Sequence, residues 1–293
     1  MQWLIPFFYA SPILKEAFVP PAWSLPQKPC VLLEVYADQH SPLTEALRNL
    51  GLNAIRFTRA DGDLATVEGR RKLWKIIDQH QPLNIWVAPE CGPWGGWSRL
   101  NQYKSVKLFD HVQRLRKQEL QHVELCAALC QFQVKRSRHF HLEQPNGSRM
   151  PQLDFFQPIH QLTQRASFDM CTFGLKHPFS KRFMRKSSQD FSSDPFMIQQ
   201  LMPIRCDKSH EHQQIEGSVS IHGQRMSLTK FCASYCPGFA RKVASWMLRS
   251  LEQAGVGDHE DAPPNKRSRF PFNPHKRAKI SRPIDLGSPQ QSN

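Results

Sequence analysis

One cysteine lies in a loop rich in glycine and tryptophan, directly after an apolar segment. The loop reads Pro89-Glu90-Cys91-Gly92-Pro93-Trp94, and Trp97 and Ser98 follow it. A thiol in such a loop is a nucleophile when its surroundings favour the thiolate, and glycines let a flat ligand approach the backbone. Trp94 and Trp97 are expected to stack on a base or to line a pocket. The alternative is a structural cysteine among core tryptophans, which Glu90 favours because a neighbouring carboxylate disfavours the thiolate.

A glutamate ends another apolar segment further along the chain. Glu143 precedes the turn Gln144-Pro145-Asn146-Gly147. Its carboxyl group could hydrogen-bond an amidine-like ring edge, such as N3 and the exocyclic amine of cytosine. The alternative is a solvated glutamate in front of a turn.

Two groups of metal-ligating residue types stand in the last third of the domain. Cys206 is followed by His210 and His212, and Cys232 and Cys236 come about twenty residues later. Together they predict a tetrahedral zinc site made of Cys206, His210 or His212, Cys232 and Cys236. Cys232 and Cys236 are also spaced as neighbours on one helix face, so core cysteines are the alternative.

The segments around these residues alternate between strand and helix. Apolar runs predict strands at 30–36, 53–58, 83–88 and 139–143, and helical periodicity predicts helices at 44–50, 68–79, 106–134 and 227–251. This alternation predicts an α/β fold in which a parallel sheet carries helices on both faces. Ligands bind beyond the carboxyl ends of such strands. The strand-end segments are 34–41, 58–65, 89–98 and 143–148.

Composition divides the chain into three parts. Residues 1–28 form an irregular arm rich in proline and aromatic residues, 29–254 form one domain in which 152–226 is less regular, and 255–293 form a polar tail expected to be disordered. No segment has the apolar length of a membrane span, so no membrane partner is expected. The eight cysteines are spread along the chain, which favours reduced thiols inside the cell.

The chain is strongly basic, with 39 basic against 25 acidic residues and a formal net charge of +14. Nucleic acid is the expected partner of such a charge, and a protein that is merely basic is the alternative. The densest basic segment of the domain is Phe179 to Lys186. Two basic clusters in the tail, at 266–269 and 275–279, favour a nuclear over a cytoplasmic location.

Taken in order, these segments resemble the motifs of DNA cytosine-C5 methyltransferases. The matching segments are Leu33 to Ala37, the Cys91 loop as far as Ser98, and His141 to Pro145. Phe168 to Gly174, followed by residues 181–186, is similar to the segment after the glutamate motif of that family. The resemblance covers roughly residues 30–190. It is closer to divergent methyltransferase-like domains of mobile elements and polyproteins of unicellular eukaryotes, and it implies a Rossmann-like sheet.

The resemblance also implies roles for individual residues. Cys91 would be the nucleophile that adds to C6 of the base, Glu143 would hold and protonate N3, and Arg182 or Arg185 would hold the catalytic loop or a phosphate. The cofactor would be S-adenosylmethionine, bordered by Glu34, Ala37, Asp38, Asp61, Asp63 and Pro89. The nucleic acid, DNA rather than RNA, would contact Trp94, Trp97, Ser98, Lys181, Arg185 and Lys186. Residues 152–226 would form the substrate-recognition region.

Two other hypotheses stay open. The family has glycines in its cofactor loop, whereas this chain has Ala37-Asp38-Gln39-His40-Ser41, and this difference favours a non-catalytic nucleic-acid-binding domain derived from a mobile element. The other hypothesis is a thiol hydrolase that uses Cys91 with His139 or His141 as its base. The spacing along the chain singles out neither histidine.

Overall fold

The structure is a computed structural model that describes residues 29–221 and 223–254. The predictions for the arm at 1–28 and for the tail at 255–293 lie outside these residues. Within them, no helix has the length and apolar character needed to cross a membrane.

A six-stranded, mostly parallel sheet forms the centre of the domain. The strands of the chain are β1 (Cys30–Val35), β2 (Asn53–Phe57), β3 (Asn84–Val87), β4 (His139–Pro145), β5 (Gln164–Asp169), β6 (Phe183–Met184), β7 (Ser187–Ser192), β8 (His212–Gln213), β9 (Ser218–Ile221) and β10 (Gln224–Ser227). The central sheet has the order β2-β1-β3-β4-β7-β5, and β6 with β8 and β9 with β10 form two small pairs. Strands β1 to β4 are parallel, whereas β7 runs antiparallel to both of its neighbours.

Helices cover both faces of this sheet. They are α1 (Pro42–Asn49), α2 (Val67–His80), α3 (Gly96–Asn101), α4 (Val106–Lys135), α5 (Pro195–Leu201), α6 (Leu228–Phe231) and α7 (Pro237–Gln253). One core joins the sheet to α1, α5 and α7 around Trp86, Phe168 and Phe239. The other joins it to α2 and α4 around Ile77 and Phe140. The predicted α/β class is therefore confirmed, with the correction that the sheet is mixed and not wholly parallel.

The segment 152–226 contributes more regular structure than its sequence indicates. It supplies β5, β7 and α5, and β7 lies inside the central sheet. Strand β7 has no apolar pattern because its sequence is Ser-Ser-Gln-Asp-Phe-Ser. Its buried polar side chains bond within the fold instead: Ser192 donates to the Phe140 carbonyl at 2.7 Å, and Gln189 donates to the Pro145 carbonyl at 3.1 Å.

The helix expected at 227–251 is two helices in the structure. Helix α6 ends at Phe231 and α7 begins at Pro237, because proline lacks the N–H needed to continue a helix but suits the first turn of a new one. Cys232 and Cys236 therefore lie at the two ends of the connecting turn. The prediction that they share one helix face is wrong.

Candidate functional site

The polar strand ends expected from the sequence converge on one face of the sheet. Glu34 of β1 is in register with Trp86 of β3, which is in register with His141 of β4. Since alternate residues of a strand point to the same face, Glu143 lies on the same face as His141, one step nearer the carboxyl edge. Strand β1 has β2 on one side and β3 on the other. The strand order therefore changes direction at β1, and this point lies at the same edge of the sheet.

The Cys91 loop is held at this edge by hydrogen bonds to its backbone. Cys91 precedes a short 3₁₀ turn, and its carbonyl accepts from the N–H groups of Trp94 and Gly95 at 2.9 and 3.0 Å. The Ser98 hydroxyl donates to the Gly92 carbonyl at 2.5 Å. The Cys91 thiol is therefore carried by a braced turn. Ser98, expected to contact nucleic acid, is engaged in bracing it.

The Cys91 thiol is close enough to two charged groups for them to affect its ionisation. Burial raises the pKa of the Cys91 thiol, the Glu143 carboxylate raises it further, and the Lys186 ammonium lowers it, with a smaller upward contribution from Glu90. The Lys186 Nζ lies 4.0 Å from Glu143 Oε1. A thiol, a carboxylate and an ammonium thus form one cluster at the ends of β3 and β4. In the free protein at neutral pH the raised pKa keeps Cys91 protonated.

Glu143 carries an unused hydrogen-bond acceptor. Its side chain is only 7% exposed, and Oε1 has no hydrogen-bond partner among the described residues. The ammonium of Lys186 donates to the Cys232 carbonyl at 3.0 Å, which is shorter than its distance to Glu143. Buried polar atoms without a partner are uncommon in native proteins because they are costly. The carboxylate is therefore available to a ligand that can donate a hydrogen bond.

Tyr235, in the turn between α6 and α7, is a further member of the site. Its hydroxyl accepts a hydrogen bond from Trp86 Nε1 at 2.7 Å. Burial raises the pKa of Tyr235, and the negative charges of Glu143 and Glu34 raise it further. This residue could not be predicted from the sequence, because it has no motif around it and lies far along the chain from both strand ends.

His141 is a structural residue of the core. Its Nδ1 lies 3.2 Å from Asp190 Oδ2 and its Nε2 lies 3.3 Å from Asn84 Oδ1. The side chains of His141 and Asp190 are fully buried, and the imidazole stacks on Trp86 with ring centroids 4.8 Å apart. Both ring nitrogens are therefore occupied.

His139 is no better placed as a base for Cys91. It begins β4, whereas Cys91 follows the carboxyl end of the parallel strand β3, so the two lie at opposite edges of the sheet. Burial also lowers the pKa of His139. The structure thus contradicts the thiol-hydrolase hypothesis for either histidine.

A second cluster of reactive side chains lies after β5. One ligand atom from each of Cys171, Cys206, His210 and His212 lies within 4.8 Å of the others, a set that could hold a metal ion. The prediction of a site at Cys206 with His210 or His212 agrees with this cluster. Cys171 was missed because it stands alone in the sequence, 35 residues before Cys206.

The two other cysteines predicted as metal ligands are not part of this cluster. Cys232 is buried, and Cys236 is buried with its thiol donating to the Phe173 carbonyl at 3.6 Å. They lie at the end of α6 and the start of α7, and neither belongs to the group of four potential ligands. They are core cysteines, which was the alternative weighed for them.

An open groove borders the metal-ligating cluster. It has a volume of about 460 Å³ and includes Lys176, Phe183 and Arg205 in its lining, together with Cys171 and His210. The ammonium of Lys176 lies 4.4 Å from the centroid of the Phe183 ring. The groove thus combines an aromatic ring with cationic side chains, and Asp207 supplies one opposing charge.

No protein-family model matches this sequence, and no curated protein or solved structure gives a significant match.

The residues expected to border a cofactor differ in how accessible they are to a ligand. Glu34 turns its carboxylate into the fold, where the hydroxyls of Ser41 and Thr44 donate to it at 2.5 and 2.7 Å. Asp38 is exposed and Ala37 is half-buried. Tyr36, directly after β1, adopts φ 64°, a conformation that is costly for a bulky residue and is found at functional sites.

The acidic residues after β2 are engaged in local turns. Asp61 Oδ2 accepts from the backbone N–H and the hydroxyl of Thr58 at 2.8 and 2.7 Å. Asp63 Oδ1 accepts from the Ala65 N–H at 3.0 Å. Pro89 is buried, and its carbonyl accepts from the Gln144 side chain at 3.2 Å. These three residues shape the loops at this edge, and the exposed carboxylates of Asp61 and Asp63 keep acceptor capacity beyond these bonds.

The residues expected to contact nucleic acid also differ in how accessible their side chains are. Trp94 is 6% exposed and packs in the core beneath Arg116, whose guanidinium lies 5.5 Å from the ring centroid. It therefore has no free face for a base, contrary to expectation. The side chain of Trp97 lies outside the described part of the chain.

One cation of the basic segment 179–186 lies beside Cys91 and Glu143, and it is not Arg182 or Arg185. Lys181 and Arg182 are exposed in the turn before β6, and Arg185 Nε lies 3.6 Å from Asp169 Oδ1. The cation that acts on Cys91 and Glu143 is Lys186, which had been expected to contact nucleic acid. Lys186 is therefore the cation of this segment that lies beside Glu143, and the roles expected for Arg182 or Arg185 stay predictions.

Proposed function

We propose that this protein is an S-adenosylmethionine-dependent methyltransferase acting on cytosine in nucleic acid, with Cys91 as nucleophile. The observation that carries the proposal is the cluster of Cys91, Glu143 and Lys186 at the strand ends, in which Glu143 Oε1 is buried and has no hydrogen-bond partner within the described part of the chain. A base edge with a protonated ring nitrogen beside an exocyclic amine matches this acceptor. A base within a duplex would have to be flipped out to reach it.

The chemistry begins with addition of the Cys91 sulfur to C6 of the ring, which forms a C–S bond and moves electron density to C5. Glu143 holds the proton that N3 needs while that density develops. S-adenosylmethionine, when bound, supplies an electrophilic methyl group. Once C5 has taken the methyl group, with S-adenosylhomocysteine as the leaving group, water would accept the C5 proton, and cleavage of the C6–S bond would return the thiolate and the aromatic ring.

The same cluster explains how the substrate would activate the thiol. In the free protein the Glu143 carboxylate helps to raise the pKa of Cys91. When Glu143 binds a protonated N3, the base compensates the negative charge of the Glu143 carboxylate. The carboxylate then raises the pKa of Cys91 less strongly. We therefore expect Cys91 to become nucleophilic mainly when the base is in place.

The cofactor site that fits this proposal lies where the strand order changes direction, between the ends of β1 and β3. Asp38 and the backbone around Ala37 are the groups most available to a polar ligand there, since the Glu34 carboxylate is occupied by Ser41 and Thr44. Support for nucleic acid comes from the net charge of +14 and the groove lined by Lys176, Phe183 and Arg205.

Covalent trapping tests the proposal. Duplex DNA containing 5-fluorocytosine is incubated with the protein and S-adenosylmethionine, because fluorine at C5 blocks release of the enzyme. We expect an adduct that survives denaturing electrophoresis and maps to Cys91, and none with Cys91→Ser. Cys30→Ser is the matched control, since Cys30 starts β1 at the opposite edge of the sheet. Absence of an adduct, together with absence of cofactor binding in calorimetry, would contradict the proposal.

A second candidate function is nucleic-acid binding without catalysis. It is favoured by the raised pKa of Cys91 and by the loop at residues 37–41, which has no glycine. It predicts DNA or RNA binding whose affinity falls steeply with salt and is unchanged in Cys91→Ser. Salt-insensitive binding would exclude this function.

A further inference from the structure

The metal-ligating cluster has the dimensions of a tetrahedral site. Cys206 Sγ lies 3.7 Å from His210 Nε2 and 3.5 Å from His212 Nε2. With Zn–S near 2.3 Å and Zn–N near 2.0–2.1 Å, sulfur and nitrogen ligands of tetrahedral zinc stand about 3.6 Å apart. Cys171 completes a set of four ligand atoms within 4.8 Å of one another.

Hydrogen bonding alone gives a weaker account of this arrangement. A thiol has one proton, so Cys206 can donate to only one of the two imidazoles beside it and would have to accept weakly from the N–H of the other. Cys206 Sγ also accepts from the Lys208 backbone N–H at 3.3 Å, a contact of the kind that supports a metal-bound sulfur. The Phe183 ring lies against His210 with centroids 4.1 Å apart, and this packing restricts the orientation of the imidazole.

We propose that Cys171, Cys206, His210 and His212 bind one structural zinc ion. Two sulfur and two nitrogen ligands suit zinc and are unsuited to magnesium or calcium, which take oxygen ligands. Four protein ligands close the coordination shell and leave no position for a substrate, so the ion has a structural role.

The local architecture explains why an ion is needed here. The strands β6 and β8 pair through only two residues each, Phe183 with His212 and Met184 with Gln213. So short a pair is not stable without further support. The zinc ion joins β8 and the loop before it to Cys171, which follows β5, and so links segments that have few backbone hydrogen bonds between them.

The ion also fixes the backbone that carries Lys186. The Met170 N–H, next to Cys171, donates to the Lys186 carbonyl at 2.9 Å. Asp169 Oδ2 accepts from the Cys206 N–H at 3.0 Å. The proposed ligand Cys171 therefore directly follows the residue whose N–H binds the Lys186 carbonyl. The ammonium of Lys186 lies 4.0 Å from Glu143.

Metal analysis of the purified full chain tests this assignment. After refolding with zinc and removal of excess metal, mass spectrometry should find one zinc per chain. Cys171→Ser and His212→Ala should each lower zinc affinity by at least about 100-fold in competition with a chelating dye. Cys232→Ser is the matched control, since Cys232 is a buried cysteine outside the cluster, and it should keep one zinc. Zinc-free wild-type protein, or equal loss in Cys232→Ser, would overturn the proposal.

Cobalt substitution keeps the test decisive if the ligand variants do not fold. Wild-type protein loaded with cobalt should show the intense visible bands of a tetrahedral site and sulfur-to-cobalt charge transfer. Weak bands of an octahedral site without sulfur absorption would overturn the assignment. Zinc removal should also increase proteolysis within residues 203–217, and unchanged cleavage there would refute the structural role. None of these measurements depends on methyl transfer.

Discussion

The ion pair between Lys186 and Glu143 predicts a specific pattern of stabilities. The two charged atoms are 4.0 Å apart, and the side chains are 18% and 7% exposed. At an effective dielectric constant of about 20, charges at this distance attract by ~4 kcal/mol, which offsets part of the cost of burying the carboxylate. Lys186→Met should therefore lower the free energy of unfolding by about 2–4 kcal/mol, because Glu143 is left buried without compensation.

Glu143→Gln should behave differently. It removes the attraction together with the buried charge, so the free energy of unfolding should stay within about 1 kcal/mol of wild type. In the double variant, the second change should recover much of what the first one lost. We expect a coupling energy of about 2 kcal/mol between the two positions.

Urea unfolding of the four proteins, followed by tryptophan fluorescence, measures this cycle. The pair Arg56 and Glu45 is the control, since its atoms are closer, at 2.6 Å, but Glu45 is half-exposed, and its coupling should be much smaller because solvent screens it. Additive effects of Lys186→Met and Glu143→Gln would show that the ammonium does not compensate the carboxylate. So would a loss in Glu143→Gln as large as that in Lys186→Met.

Two further predictions concern the thiol and the packing of α7. Because the pKa of Cys91 is raised above its ordinary value of 9.0, its alkylation by iodoacetamide should be slow at neutral pH and still increase above pH 9. Glu143→Gln should accelerate the reaction at neutral pH, on the order of threefold. Mass spectrometry of the Cys91 peptide measures the rate. Slower alkylation would contradict the electrostatic effect of Glu143 on Cys91. An added Cβ at Gly238 would stand 1.9 Å from the Phe173 carbonyl oxygen, so Gly238→Ala should destabilise the fold by about 2–4 kcal/mol in thermal unfolding. Gly96→Ala, where no atom of residues 29–221 or 223–254 beyond its chain neighbours and its own helix backbone is described within 4 Å of the added Cβ, should change stability by less than about 0.5 kcal/mol. Equal effects of the two changes would contradict the packing described.

The first half of the fold could be predicted because its strands carry their own signal. The segment 30–35 is apolar except for Glu34 and is buried along its whole length, as expected for a parallel strand covered on both faces. The long helix α4 is capped by Ser105, the residue before its first, whose hydroxyl accepts from the Leu108 N–H, and this cap is visible in the sequence. The positions of Cys91 and Glu143 at neighbouring strand ends followed from these assignments.

The rest depended on contacts between residues far apart in the chain. Strand β7 has no apolar alternation, because Asp190 pairs with His141 from 49 residues away. Tyr235 meets Trp86 from a turn that no local pattern marks. The position of Lys186 beside Glu143 could not be predicted for the same reason, since a basic segment does not indicate which of its cations turns inward.

The order of the strands has a consequence for how the chain is made. Strand β4 lies beside β7 in the finished sheet, yet β5 is synthesised before β7. Until residues 187–192 leave the ribosome, one edge of β4 is unpaired and β5 is free to pair with it directly. Open strand edges of this kind promote mispairing and aggregation. We expect nascent chains that stop between β5 and β7 to need chaperone protection, and the completed chain to be released from it once β7 is inserted.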